Sequence, residues 1–163
     1  MQVALSVRSM LLVAVAAVFA IAALPAVAAG NPALERDAKS AYDKLVARVP
    51  AAKAAASQAV AVLVFPKITK AGLMVGGQYG DGVLLRGGKP AGYYNTAGAS
   101  YGLQAGAQQF GYAMFFMSDG ALKALTDADG FEVGVGPSVV VVDEGMAKSA
   151  TSITMKDGIY AFV

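Results

Sequence analysis

The fold of this protein is decided by residues 62–85, which read VLVFPKITKAGLMVGGQYGDGVLL. Glycine recurs here inside apolar runs rather than in polar linkers. A glycine within a strand usually marks a bulge, a sharp bend or a close approach of another backbone or a ligand. The β-branched run Val62–Phe65 predicts a strand that ends at Pro66. We therefore interpret this stretch as the start of a tightly curved sheet.

Two hairpin turns are predicted from this glycine-rich region. The first is Tyr79–Gly82, which would join the strands Ala71–Gly77 and Gly82–Leu85. Arg86–Pro90 predicts a second turn that carries two exposed positive charges. Tyr93–Thr96 then leads into the next strand.

That next strand, Gly98–Ala107, shows a strict period of two. Small or polar residues alternate with larger apolar ones, which is typical of a strand with one buried face. The apolar face consists of Ala99, Tyr101, Leu103, Ala105 and Ala107, and the other of Gly98, Ser100, Gly102, Gln104, Gly106 and Gln108.

Two helices are predicted before the strands. Asn31 is a good cap and Pro32 a good first residue, apolar side chains follow at helical spacing, and Pro50 ends the helix. Its polar side is largely basic, so it could lie on a membrane surface, or it could pack its apolar face on the domain. The alanine-rich segment Ala51–Ala61 predicts a second, shorter helix.

The remaining sequence predicts strands and one short helix. Ser118 or Asp119 could cap a helix over Ala121–Leu125. The predicted strands are Phe110–Met117, the alternating Phe131, Val133 and Val135, then Val139–Val142, Ile153–Met155 and Ile159–Val163. Helices followed by strands without regular βαβ alternation indicate an α+β fold. We expect N-terminal helices packed on a curved, mostly antiparallel, glycine-rich sheet or barrel-like core.

The first 28 residues have the order of a secretory signal peptide. Arg8 precedes the apolar segment Met10–Leu24, and Ala26–Ala28 provides an A-x-A cleavage site. The alternative is an uncleaved anchor helix, but the segment is shorter than the ~20 residues that a bilayer span needs. We therefore predict a signal peptide over 1–28 and one domain over 29–163, in a periplasmic or secreted protein. This protein would be held together by its core, because the 163 residues include no cysteine.

Charge is unevenly distributed along the chain. Between Asn31 and Pro90 basic residues outnumber acidic ones, and from Ala91 onward the balance reverses. This division indicates an oriented surface whose basic side is available to an anionic partner. Ordinary solvation of helix faces would explain the same pattern.

The residue types exclude several classes of activity. Without histidine or cysteine the chain can form neither a Ser-His triad nor a thiol nucleophile, nor a zinc site of the usual kinds. Four acidic residues, Asp81, Asp119, Asp129 and Asp157, stand in Asp-Gly pairs, which are ordinary turn chemistry. Gly82–Lys89 does not have phosphate-loop spacing. We expect no enzyme activity, no cofactor, no metal and no nucleic-acid partner.

Residues 62–85 resemble the opening signature of the SYLF domain family, and later segments fit as well. These are the glycines at 98, 102 and 106, the apolar Met114–Met117, Val135-Gly136-Pro137 and Ile159–Phe162. The resemblance covers about Asn31 to Val163. Family members usually continue into a further glycine-rich strand, whereas this sequence stops at Val163, which would leave an unpaired sheet edge.

The resemblance implies a lipid-binding module rather than an enzyme. Eukaryotic members are described as binding phosphoinositides and, in yeast, actin, and bacterial members are exported proteins often named for lipid binding. Actin binding is not expected of an exported protein. Our hypothesis is that basic residues near the Pro66 kink and in the turn after it bind anionic phospholipids at a membrane surface, with the first helix as a second patch. The residues concerned are Lys67, Lys70, Arg86 and Lys89, then Arg36, Lys39, Lys44 and Arg48.

Two other functions stay open from the residues alone. A structural or protein-interaction role in the cell envelope would use the open sheet edge and the acidic half, and its binding would not depend on lipid charge. A hydrolase relying on Asp, Lys and Tyr would require turnover that one substitution removes.

Overall fold

A computed structural model describes residues 20–23, 30–127, 131–132, 139–142 and 158–163. Within the long strands, the side chains at 73–75 and 98–106 are not described. The described chain forms three helices and an open, mostly antiparallel sheet, which confirms the predicted α+β class.

The first helix begins and ends as its sequence predicts, whereas the second, predicted over Ala51–Ala61, ends at Gln58, and Ala61 already belongs to a strand. Helix α1 spans Pro32–Arg48, and the Asn31 side chain caps it by accepting a 3.1 Å hydrogen bond from the Leu34 N–H. Val49 is extended, which is the conformation favoured before a proline. Helix α2 then runs from Pro50 to Gln58. The apolar side of α1 packs on the sheet, as the second of the two predicted roles requires. Only its solvent-facing polar residues are therefore available for contact with a membrane surface.

Two very long strands form the centre of the sheet. Strand β2 spans Ala61–Arg86 and strand β3 spans Lys89–Phe116, and they pair antiparallel along their length. Gly87 and Gly88 connect them with φ angles of +60° and +77°, as a tight two-residue hairpin turn requires. The turn predicted at Arg86–Pro90 is confirmed in position.

The turn predicted at Tyr79–Gly82 is wrong. These residues lie inside β2, where Gly80 pairs with Thr96 and Asp81 with Asn95. Pro66 also does not end a strand. It lies in the register shift between Phe65 and Ile68, a bulge where its missing N–H costs no ladder hydrogen bond.

The glycines at 80 and 82 let β2 fold back on itself. A Cβ atom on Gly82 would lie 2.6 Å from the Phe65 ring, and one on Gly80 would lie 2.8 Å from Ile68 Cγ1. No side chain fits at such distances. The sequence therefore identified the right cause, close backbone approach, but assigned the Gly80-Asp81-Gly82 segment to a turn.

Short strands extend the sheet from the other edge of β3. They are β1 (Ala20–Ala23), β4 (Phe131–Glu132), β5 (Val139–Val142) and β6 (Ile159–Phe162). The sheet order is β4-β1-β3-β6-β5, with β2 on the opposite edge of β3. Only the β5–β6 pairing is parallel among the described strands. The predicted strands at Val139–Val142 and Ile159–Val163 are confirmed to within one residue.

Three predictions concern residues beyond those that the structure describes. Val133, Val135 and the strand Ile153–Met155 lie outside them, and so do the faces assigned to side chains 98–106, although the backbone there is strand. The predicted signal peptide stays a prediction. Its residues Ala20–Ala23 are β1, which pairs with Tyr94–Ala97 of β3.

Alternating residues of the strands enter two separate apolar clusters. The first cluster includes Leu63, Phe65, Met114 and Phe116, and helix α3 (Asp119–Thr126), capped by Ser118, closes it with its own apolar residues. The second cluster contains buried alanines of α1 and α2. Its strand residues include Val62, Val64, Val83, Ala113, Phe115 and Phe162.

Candidate functional site

The structure divides the eight predicted lipid-binding residues by whether they have an ionic partner. Lys39 binds Asp43 one turn later on α1, with its Nζ 3.0 and 2.9 Å from the two carboxylate oxygens. Arg86 Nη2 lies 3.3 Å from Asp119 Oδ1, at the start of α3. The other six form no ion pair within the described residues: Arg36, Lys44, Arg48, Lys67, Lys70 and Lys89.

Three of these unpaired cations lie along one side of α1. Arg36, Lys44 and Arg48 are exposed and are spaced by multiples of four residues, with the exposed Ser40 between the first two. Residues at this spacing are neighbours on a helix surface. Lys39 is neutralised by Asp43 on the neighbouring side, and Asp37 lies on the same side as these three cations, seven residues before Lys44. We call Arg36, Lys44 and Arg48 the α1 cation row.

The hairpin-turn cations lie far from Lys67. Gly80 packs against Lys67 and Ile68, and Arg86 lies six residues beyond Gly80 along β2. At roughly 3.3 Å per residue, this separates Arg86 and its cross-strand neighbour Lys89 from Lys67 by about 20 Å. Lys67 is therefore separated from Arg86 and Lys89, with which the sequence hypothesis grouped it, and is instead brought close to α1. Lys70 lies further along β2, where it pairs with Gln108 and lines neither cleft.

An apolar cleft opens between α1 and the sheet. Its volume is about 390 Å³, and β2, β3 and β6 line it with apolar groups that include Val64, Phe65, Ala113 and Phe162. From α1, the small side chain of Ala41 leaves the cleft open. Lys44 and Arg48 also line the cleft, and none of the lining side chains is a carboxylate. We call this space the apolar cleft.

A second, polar cleft adjoins the apolar cleft. Its volume is about 610 Å³, and Ala41 and Lys44 line both. The bulge at Pro66 places Lys67 in its wall opposite α1. Its two lysines, Lys44 and Lys67, are matched by two carboxylates, Asp37 and Asp81. The formal side-chain charges in this polar cleft therefore cancel, whereas the charged side chains of the apolar cleft are only positive.

Two tyrosine–carboxylate hydrogen bonds fix the surroundings of the clefts. Tyr79 Oη donates to Asp81 Oδ1 at 2.6 Å, and this hydrogen bond, with burial and the carboxylate charge, raises the pKa of Tyr79. Tyr93 donates to Glu35 Oε1, which raises the pKa of Tyr93 in the same way. Since Glu35 belongs to α1 and Tyr93 to β3, the second hydrogen bond holds the start of α1 against the sheet.

One tyrosine of the apolar cleft is deeply buried. Burial raises the pKa of Tyr112 to about 12, and it also raises the pKa of Tyr94, which is in the first cluster. Deprotonation of a buried tyrosine is unfavourable because the charged phenolate would be removed from water. Tyr112 therefore stays uncharged at any physiological pH, so that Lys44 and Arg48 are the charged side chains of the cleft.

The residues that sequence analysis missed are those that the fold brings together from a distance. Asp37 and Asp81 are separated by a helix and a bent strand, and no local pattern relates them. In the part of the chain that the structure describes, no group of three or more acidic side chains is arranged to hold a metal ion. None of the described helices is both long and apolar enough to cross a membrane.

Comparison with known proteins gives no further identification: no protein-family model matches the chain, and no curated protein is significantly similar to it.

Proposed function

We propose that this protein binds anionic phospholipids at a membrane surface through the α1 cation row, without catalysing a reaction. The observation that carries the proposal is the presence of unpaired, exposed cations on α1, Arg36, Lys44 and Arg48. Of these, Lys44 lines the polar cleft together with Lys67 of β2. Near an anionic membrane each such residue contributes on the order of 1 kcal/mol. Four of them together would hold a peripheral protein at such a surface.

The proposal moves the site relative to the sequence hypothesis. Arg86 and Lys39 already have carboxylate partners, and Lys89 lies at the distant hairpin turn. The resemblance to SYLF domains supports lipid binding as the function. It does not select between the two ends of the hairpin, whereas the distribution of unpaired charge favours α1 and the adjoining part of β2.

Export is part of the proposal. The signal-peptide pattern over 1–28 would place the domain on the periplasmic or outer side of a membrane, where anionic phospholipids are available. Intact-mass measurement of the protein recovered after expression tests this point. A mass that begins at Ala29 supports export, and retention of residues 1–28 contradicts cleavage.

Co-sedimentation with vesicles tests lipid binding itself. The full chain is mixed with vesicles of phosphatidylcholine alone, or of phosphatidylcholine with phosphatidylglycerol, at low and high salt. We expect binding only to the anionic vesicles. It should weaken as salt shortens the Debye length from about 30 Å at 0.01 M to about 10 Å at 0.1 M. Equal binding to both vesicles would contradict the proposal, and no binding to either would favour the alternative, a protein partner in the envelope.

A further inference from the structure

The apolar cleft has two properties of a site for an amphiphile. Its floor is formed by strand residues such as Val64, Ala113 and Phe162, and the cationic groups Lys44 and Arg48 lie on its α1 side. Small-molecule sites typically have volumes of about 300–1,000 Å³, a mostly apolar lining and a few polar groups that fix orientation. At about 390 Å³ this cleft is at the lower end of that range.

Small side chains of α1 and α2 face the sheet beside the cleft, and the one that lines it is Ala41. Ala38, Ala51, Ala52 and Ala55 are fully buried in the second cluster, and Ala41 lies half-buried at the cleft. An alanine brings the helix close to the strands, but it does not fill the space beside a larger neighbour. A hydrocarbon chain in this space would remove apolar lining from water.

The charges select the head group. Lys44 and Arg48 line the apolar cleft without any acidic side chain, while the adjoining polar cleft is lined by two lysines, Lys44 and Lys67, and by two carboxylates, Asp37 and Asp81. A negative head group is therefore favoured at Lys44 and Arg48, and an arginine can bind a phosphate or carboxylate through two parallel hydrogen bonds. A cationic head group would be repelled by both of these side chains.

From this arrangement we infer that the apolar cleft binds the hydrocarbon chain of one single-chain anionic lipid, with its head group held by Lys44 and Arg48. The inference rests on the proposed function and deepens it. The membrane contact would be more than electrostatic attraction, because one lipid chain would enter the protein between α1 and the sheet.

Calorimetric titration of the full chain with n-alkyl phosphates, below their micellar concentrations, tests the inference. Burial of each methylene is worth about 0.8 kcal/mol, so affinity should rise up to about four-fold per added methylene until the cleft is filled. Alkyl trimethylammonium ions of the same length should bind at least ten-fold more weakly. Affinity that does not depend on chain length, or on the sign of the head group, would overturn the inference.

A matched pair of α1 variants tests whether the hydrocarbon chain of the ligand binds in the apolar cleft. Ala41→Leu fills the cleft and keeps a good helix former, whereas Ala47→Leu makes the same change at an exposed position that lines neither cleft. We expect Ala41→Leu to lower alkyl phosphate affinity at least ten-fold and Ala47→Leu to leave it unchanged. Equal affinities in the two variants would overturn the inference.

The variants also separate this inference from the proposed function. Because Ala41→Leu retains every cation, it should still bind anionic vesicles, and circular dichroism would verify its folding. The variant Lys44→Glu/Arg48→Glu, which changes only exposed residues, should lose alkyl phosphate binding even if Ala41→Leu does not fold. Vesicle binding by wild type without alkyl phosphate binding would overturn the inference and leave the proposed function standing.

Discussion

The two faces of the central strands carry adjacent residues of one sequence, but they are covered in different ways. In the first cluster Leu63, Phe65, Met114 and Phe116 are fully buried, and the leucines of α3 pack against the same cluster. In the second cluster the fully buried helix residues are alanines of α1 and α2, and the larger α1 side chains Leu34, Tyr42 and Leu45 pack there only half-buried. The first face is closed by large side chains, whereas the second retains the apolar cleft with its cationic side.

This difference separates stability from binding within one pair of strands. Because side chains alternate along a strand, substitutions at neighbouring positions act on opposite faces. The first face should respond to truncation mainly through the free energy of unfolding. The second should respond less in stability and more in ligand affinity.

The sharpest contrast is between Leu63→Ala and Val64→Ala. Leu63 is completely buried in the first cluster, so its truncation should cost about 4 kcal/mol of unfolding free energy. Val64 borders the apolar cleft, and its truncation would enlarge an existing opening rather than create a closed cavity. We expect a cost of about 1–2 kcal/mol for Val64→Ala. Denaturant unfolding measures both, and a Val64→Ala cost equal to that of Leu63→Ala would contradict the comparison.

Alkaline unfolding tests the burial of Tyr112, which lies where the first cluster meets the apolar cleft. Its pKa is about 12 in the folded protein, against about 10 in an unfolded chain, so the folded state holds this proton more tightly. The associated stability is fully present below pH 10 and is lost as pH rises from 10 to 12. The loss should be about 3 kcal/mol, since one unit of pKa corresponds to about 1.4 kcal/mol.

Comparison with Tyr112→Phe isolates this contribution from the titration of lysines. The variant should lose less stability between pH 10 and 12 than wild type does, and the phenolate absorbance with the highest midpoint should disappear. If both proteins lose stability equally, Tyr112 is accessible to solvent and the description of the cleft floor is wrong.

A pair of glycine variants tests the fold-back of β2, which creates the first cluster. The Cβ of Gly82→Ala would lie 2.6 Å from the ring of Phe65, which cannot move because it is fully buried. We expect a cost of about 2 kcal/mol. Gly111→Ala is the control, because its Cβ would come no closer than 3.6 Å to another atom, and it should change stability by less than about 0.5 kcal/mol. Equal effects would mean that β2 does not fold back at Gly82.

The smallest effect is expected at the hairpin turn. The Arg86–Asp119 ion pair joins β2 to α3, but both side chains are more than half exposed. Exposed pairs contribute about 0–1 kcal/mol, so Arg86→Ala should cost less than about 1 kcal/mol and the cost should shrink at high salt. Thermal unfolding measures this cost. A decrease in melting temperature larger than that caused by Val64→Ala would show that this end of the hairpin is more important for stability than the cleft face.

Local sequence chemistry was sufficient for the helices and for the general class of fold. The Asn31 cap, the prolines at 32 and 50 and the Ser118 cap all act within a few residues, and each of the three predicted helices is present. Local chemistry was misleading at Gly80-Asp81-Gly82, where the same residues suit a turn and a close backbone approach. Only the packing of Phe65 against position 82 distinguishes the two cases.

The candidate site was predicted only in its residue types. Charge along the sequence indicated a basic surface, but it could not show that Arg86 would meet Asp119, 33 residues away. Nor could it show that Lys44 and Lys67 would line one cleft. The apolar cleft is lined by residues of α1, β2, β3 and β6, which are far apart in the sequence. No periodic pattern of residues predicts that they lie close together.

The most direct test of lipid binding through α1 is vesicle binding by two variants with the same change in net charge. Lys44→Glu/Arg48→Glu reverses the charge at the cleft, and Lys89→Glu/Lys123→Glu does so at the hairpin turn and on α3. Removal of two cations worth about 1 kcal/mol each predicts at least a 30-fold loss of affinity for phosphatidylglycerol-containing vesicles in the first variant. The second variant should retain binding to within about three-fold. Equal losses in the two variants would contradict the account, because binding would then depend on net charge and not on the α1 cation row.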